Sequence, residues 1–102
     1  MEKAFKALAS EPRRRILAHL LEGPMTVGEV GNHFDMALPS ISKHLAILKD
    51  AGFVREQKRG QFVLYSLEAG RLADALLEFL APFHDGAREI LEKAQARGRH
   101  RS

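Results

Sequence analysis

Apolar positions along the chain recur first at helical spacing, then in alternation, then at helical spacing again. Phe5, Leu8 and Ala9 share one side of a short helix over residues 1–9. Ser10-Glu11-Pro12 restarts the pattern, because Ser can cap a helix and Pro is tolerated in its first turn. Ile16, Leu17, Leu20 and Leu21 carry the stripe to about Glu22, where Gly23-Pro24 stops it. Thr26, with Glu29 three residues on, is a capping box for a short third helix ending near Phe34, and residues 35–37 make a tight turn. The fourth helix opens "LPSISKHLAILKDAGFV": Ile41, Leu45 and Leu48 fall on one face, Ser40, Ser42 and Lys43 point away, and His44 lies at the boundary. Gly52 ends it. Residues 53–58 and 61–67 alternate as strands around Arg59-Gly60, a β-hairpin with a basic tip. From Glu68 to about Ala96 the spacing is helical again, with Leu72, Leu76, Phe79, Leu80, Phe83, Ala87, Ile90 and Leu91 on the stripe. Pro82 and Gly86 predict a kink or break within it.

The expected fold is mainly α with a small β-hairpin. Helices, a helix–tight turn–helix, a basic hairpin and a final helix follow in the order of a winged helix-turn-helix. Residues 1–96 form that domain with its terminal helices, and residues 97–102 form a basic flexible tail. The order also accounts for the serines that open the fourth helix. Ser is a mediocre helix former, but a helix docked in the DNA major groove presents its N-terminal residues to base edges. Short hydroxyls and a lysine there can bond bases or phosphates.

Composition narrows the classes. The chain has 102 residues, enough for one domain, and lacks the roughly 20-residue apolar run of a membrane span. The N-terminus has no signal-peptide organisation, so a cytoplasmic protein is expected. The absence of cysteine excludes disulfides and thiolate metal sites. The net charge of +3 is unevenly spread: residues 43–67 hold five basic and two acidic residues, whereas residues 68–92 hold two basic and six acidic. A polyanion would therefore approach the middle of the chain.

Three segments, "FKALASEPRRRILAHLLEG", "PSISKHLAILKDAGFV" and "KRGQFVLYSL", together resemble the ArsR/SmtB family of bacterial winged-helix repressors over roughly residues 3–83. The resemblance implies a homodimer formed through the first and last helices, with the fourth helix reading double-stranded operator DNA. Ser40, Ser42, Lys43 and His44 fall on the family's S-x-S-x-H-L recognition stretch, and Lys58, Arg59 and Gly60 fall at its wing. Phe5, Leu8, Leu76, Phe79, Phe83 and Ile90 supply the expected dimer surface, since an amphipathic helix after a complete wing has little of its own domain left to cover.

The metal-sensing members carry a cysteine pair on the third helix or a His/Asp cluster on the last. Here the third helix reads "MTVGEVGNHF", and around His84 the second pattern would require His at Ala73 and an acid or His at Ala87. Neither pattern is met. No metal site and no cofactor are expected, the effector is open, and the chain looks most like the metal-independent branch with autorepressors of the SdpR type. The alternatives are a metal sensor with a non-standard site, and a winged-helix dimerisation module of an enzyme such as a methyltransferase. The starting Met and basic end favour a whole chain over a module, and no nucleophile elbow or phosphate loop is present. Each candidate has a plainer reading. The serines can satisfy first-turn backbone groups, His44 can pack on a neighbouring helix, Arg13, Arg14 and Arg15 can be a solvated helix start, and His84-Asp85 can be a surface pair.

Overall fold

The computed structural model describes residues 1–83 and 85–99. Helices α1 (Glu2–Leu8), α2 (Glu11–Leu20), α3 (Val27–Gly31) and α4 (Leu38–Asp50) precede strands β1 (Val54–Arg59) and β2 (Phe62–Leu67), and helices α5 (Ala69–Leu80) and α6 (Asp85–Arg99) follow.

Local chemistry sets most boundaries. The Ser10 hydroxyl accepts from the Arg13 N–H at 3.4 Å to start α2. At α3 the Thr26 hydroxyl accepts from the Glu29 N–H at 3.1 Å, while the Glu29 carboxylate accepts from the Thr26 N–H at 2.9 Å. These reciprocal bonds hold the Glu29 carboxyl below its usual range. Helix α4 closes in a Schellman arrangement: Gly52, at φ +84°, donates to Lys49 O, and Phe53 donates to Leu48 O. Helices α2 and α3 end earlier than their apolar stripes suggest. Leu21, Glu22 and Gly23 donate to the carbonyls three residues back, as do His33 and Phe34, so the last turns tighten out of α geometry.

The core consists of Ala7, Ile16, Leu17, Leu20, Val30, Ile41, Leu45, Leu48, Phe53 and Val54, and among the described residues no polar or charged residue is buried beside them. It lies where α1, α2, α3 and α4 meet the root of the hairpin. The strands pair antiparallel from Val54↔Leu67 to Arg59↔Phe62, leaving Gly60-Gln61 as a two-residue turn. Gly60 is at φ +62° and Gln61 is not on the positive side, the pattern of a type II′ hairpin. Tyr65 and Met25 exchange both backbone hydrogen bonds, at 2.7 and 3.0 Å, which ties β2 to the residue leading into α3.

The final helical stretch is broken rather than kinked. Helix α5 stops at Leu80, Ala81 to Phe83 turn, and α6 starts at Asp85. It continues to Arg99, three residues past the expected end; residues 100–102 of the expected tail lie outside the described residues. Leu72 and Ala75 of α5 lean on the core, but α5 fully buries none of its residues.

Candidate nucleic-acid interface

Helix α4 is anchored by one face and bare on the other. Ile41, Leu45 and Leu48 are completely buried, while Ser40, Ser42 and Lys43 are exposed. Neither serine hydroxyl bonds a described residue, and Lys43 has no described ion pair. The hydroxyls are therefore not occupied in capping their own helix. The first turn also lacks a side-chain cap and an acidic residue; Pro39 has no N–H, and the Ser40 N–H donates to Ala37 O at 3.0 Å.

His44 is placed differently. It is half-buried, and its Nδ1 lies 3.2 Å from Arg13 Nη1. Burial, and then the charge of Arg13, push its pKa down. The plain and functional readings of the arginines also separate. Arg13 donates to Ala7 O at 2.9 Å and Lys6 O at 2.7 Å, and Arg14 donates to Leu8 O at 2.6 Å. Both thus satisfy the last carbonyls of α1, where a cation also suits the helix dipole. Arg15 sits 4.6 Å over the Phe34 ring and donates to His33 O.

The hairpin is braced against α4. Lys49 Nζ of α4 meets Glu56 Oε2 of β1 at 3.5 Å, and Glu56 also takes a hydrogen bond from Tyr65, its cross-strand partner. Partial burial, followed by the Glu56 charge and that bond, raises the Tyr65 hydroxyl pKa. Sequence reasoning missed this brace, because Glu56 and Tyr65 meet only through the strand register and Lys49 reaches them from another element. The pleat also separates the two wing cations. Lys58 shares the face of Glu56 and Tyr65, which looks toward α4, whereas Arg59 and Phe62 share the opposite face. Gly60 has open space around it at the tip.

The expected dimer residues do not all behave alike. Phe5 of α1 meets Phe79 of α5 edge-on at 4.9 Å, and Phe79 leans on Phe83 at 5.3 Å. Phe5, Leu76, Phe79, Phe83 and Ile90 are all exposed, Phe83 by 71 % and Ile90 by 66 %. Leu8 is the departure: it is half-buried against the core of its own chain, because α1 must turn there into α2.

Among the described residues no three His, Asp or Glu side chains gather as metal ligands. His19 and His33 stack at 3.9 Å in nearly parallel planes, which directs their nitrogens side by side rather than at one point. His84 and His100 lie outside the described residues. No helix among the described residues is long and apolar enough to cross a membrane.

Comparison with known proteins places this geometry. Residues 10–56, from the Ser10 cap to Glu56 of the brace, match the family described as bacterial regulatory protein, arsR family. The transcriptional repressor SdpR of Bacillus subtilis is 43 % identical over 76 residues, 74 % of this chain and 84 % of that protein. The transcriptional activator HlyU of Vibrio cholerae is 36 % identical over 76 residues, 74 % of this chain and 69 % of that protein. Among solved structures, the homodimeric winged helix-turn-helix DNA-binding domain of a possible ArsR-family regulator from Mycobacterium bovis superposes with a TM-score of 0.66 at 29 % identity, covering 82 % of this chain and 80 % of that one. With its anchored α4, its hairpin wing and these relatives, the chain belongs to the arsR family of bacterial regulatory proteins.

Proposed function

We propose that the protein is a homodimeric, cytoplasmic, sequence-specific DNA-binding repressor that reads a palindromic operator, that of its own operon first among the candidates. The observation that carries this reading is the two-faced α4: three fully buried anchors behind a row of Ser40, Ser42 and Lys43 whose side chains pair with no described residue. Hydroxyls and a lysine at a helix start suit base edges and phosphates, and Lys58 and Arg59 add cations at the wing. SdpR and HlyU bear names of opposite sign, repressor and activator; the greater identity to SdpR favours repression. The exposed apolar face from Phe5 through Phe79 suits a second copy, whose two-fold axis would bring two α4 helices to successive major grooves. The relatives are regulators rather than enzymes, and this reading assigns no catalytic residue, cofactor or resident metal.

The test is operator affinity by fluorescence anisotropy on the protein's own upstream DNA. Ser40→Ala and Lys43→Ala should each weaken specific binding by about 1–3 kcal/mol and leave thermal unfolding unchanged, since neither side chain touches the core. Unchanged affinity in both variants would remove α4 as the reader.

A further inference from the structure

Arg13 occupies an unusual position for a helix-start arginine. Its guanidinium is held in plane by two carbonyls of α1, Ala7 O and Lys6 O, and its third contact is Nδ1 of His44 on α4. Guanidinium nitrogens only donate. Nδ1 must therefore be the acceptor, and the proton of the neutral ring lies on Nε2. The depressed pKa of His44 agrees with a neutral ring. No buried side-chain nitrogen in the described structure lacks a partner, and Nε2 bonds no described residue, so Nε2–H faces solvent. Ser40 lies one turn earlier on the same side of α4, so this donor adjoins the bare face of the helix.

We propose that Arg13 is a positioning residue of the DNA-reading helix, locking the His44 ring so that its Nε2–H is offered to a phosphate oxygen of the DNA. The inference rests on the DNA-reading assignment above and adds a residue and an atom to it. Arg13 sits in the first turn of α2, ahead of the helix–turn–helix made by α3 and α4, and its contact with His44 sets the shared donor beside the bare face of α4, where a phosphate can approach. Lysine could not replace Arg13, because one ammonium cannot hold two carbonyls and an imidazole in a common plane.

Two measurements test this. Long-range proton–nitrogen NMR of the imidazoles in the DNA-free protein should show His44 unprotonated at Nδ1 and protonated at Nε2, and Arg13→Lys should let the ring sample both tautomers. For binding, His44→Gln keeps an amide donor near the Nε2 position and should hold operator affinity within about threefold, whereas His44→Asn carries its amide near Nδ1 and should lose about tenfold or more. These two variants leave Arg13 and its hold on α1 intact, so they decide the matter even where Arg13→Lys disturbs folding. A His44 ring protonated at Nδ1, or equal affinities for the Gln and Asn variants, would overturn the proposal. A parent protein with the stated tautomer that fails to bind its upstream DNA would refute the DNA-reading assignment, and the phosphate contact with it, while leaving the Arg13 lock standing.

Discussion

The strand register makes the two wing cations unequal. Lys58 continues the face on which Glu56 is held by Lys49 of α4, so DNA lying along α4 meets Lys58 next. Arg59 pairs with Phe62 and projects from the other face. Each phosphate neutralised on duplex DNA adds about 0.9 to the slope of log affinity against log salt. Between about 50 and about 200 mM salt, one contact is thus worth about 3.5-fold in affinity. Lys58→Ala should therefore lower the slope by about 0.9 and weaken specific and unrelated duplexes alike, while Arg59→Ala should change it by less than half as much. Both side chains are exposed, so neither variant should shift thermal unfolding. The assay is an anisotropy titration at four or more salt concentrations with matched operator and scrambled duplexes. A slope unchanged in Lys58→Ala and lowered in Arg59→Ala would mean that DNA approaches the outer face of the hairpin, and the register argument would fail.

Phe79→Glu places a charge against Phe5 on the exposed apolar face, and should yield monomers in sedimentation and abolish tight operator binding together; a dimeric Phe79→Glu protein would refute that face as the interface. Zinc, nickel, cobalt and arsenite should leave operator affinity within about threefold, under 1 kcal/mol of coupling, and a tenfold loss that disappears in His84→Ala would restore a metal-sensing reading. The depressed pKa of His44 means that the unfolded chain takes up this proton more readily than the folded one, so stability falls as pH drops below the ordinary histidine value. Thermal unfolding at about pH 7.5 and about pH 5.5 should show a smaller acid loss in His44→Gln than in the parent, and an equal loss would mean that His44 does not contribute.

Where structure depends on neighbours in sequence, the sequence was legible. Thr26 and Glu29 form the capping box their spacing announces, Gly52 closes α4, and Pro82 falls in a break between helices. Periodicity was less reliable at helix ends, because Leu21 and Phe34 continue an apolar stripe in tightened turns that no longer follow α geometry. Contacts across the fold were not legible. Nothing in the spacing of Arg13 shows that α1 folds back to present Lys6 O and Ala7 O to it, and nothing in Glu56 announces Lys49 and Tyr65 as partners. Leu8 reads like Phe5 on a helical projection, yet one turns inward and the other stays out, because the α1–α2 corner buries the last turn of α1.

Helix α1 touches both the exposed apolar face and, through Arg13, helix α4. Phe5 projects from it onto Phe79, on the apolar face suited to a second copy. One residue later the carbonyls of Lys6 and Ala7 fasten Arg13, whose remaining nitrogen holds His44 on α4. The helix has seven residues, about two turns, so these contacts lie close together along it. Hydrogen bonds of 2.7–2.9 Å tolerate little displacement, so a shift of α1 by an ångström would have to carry Arg13 with it or release the ring. If α4 reads DNA as proposed, a change of packing at Phe5 and Phe79 would reach it through one short helix and one guanidinium.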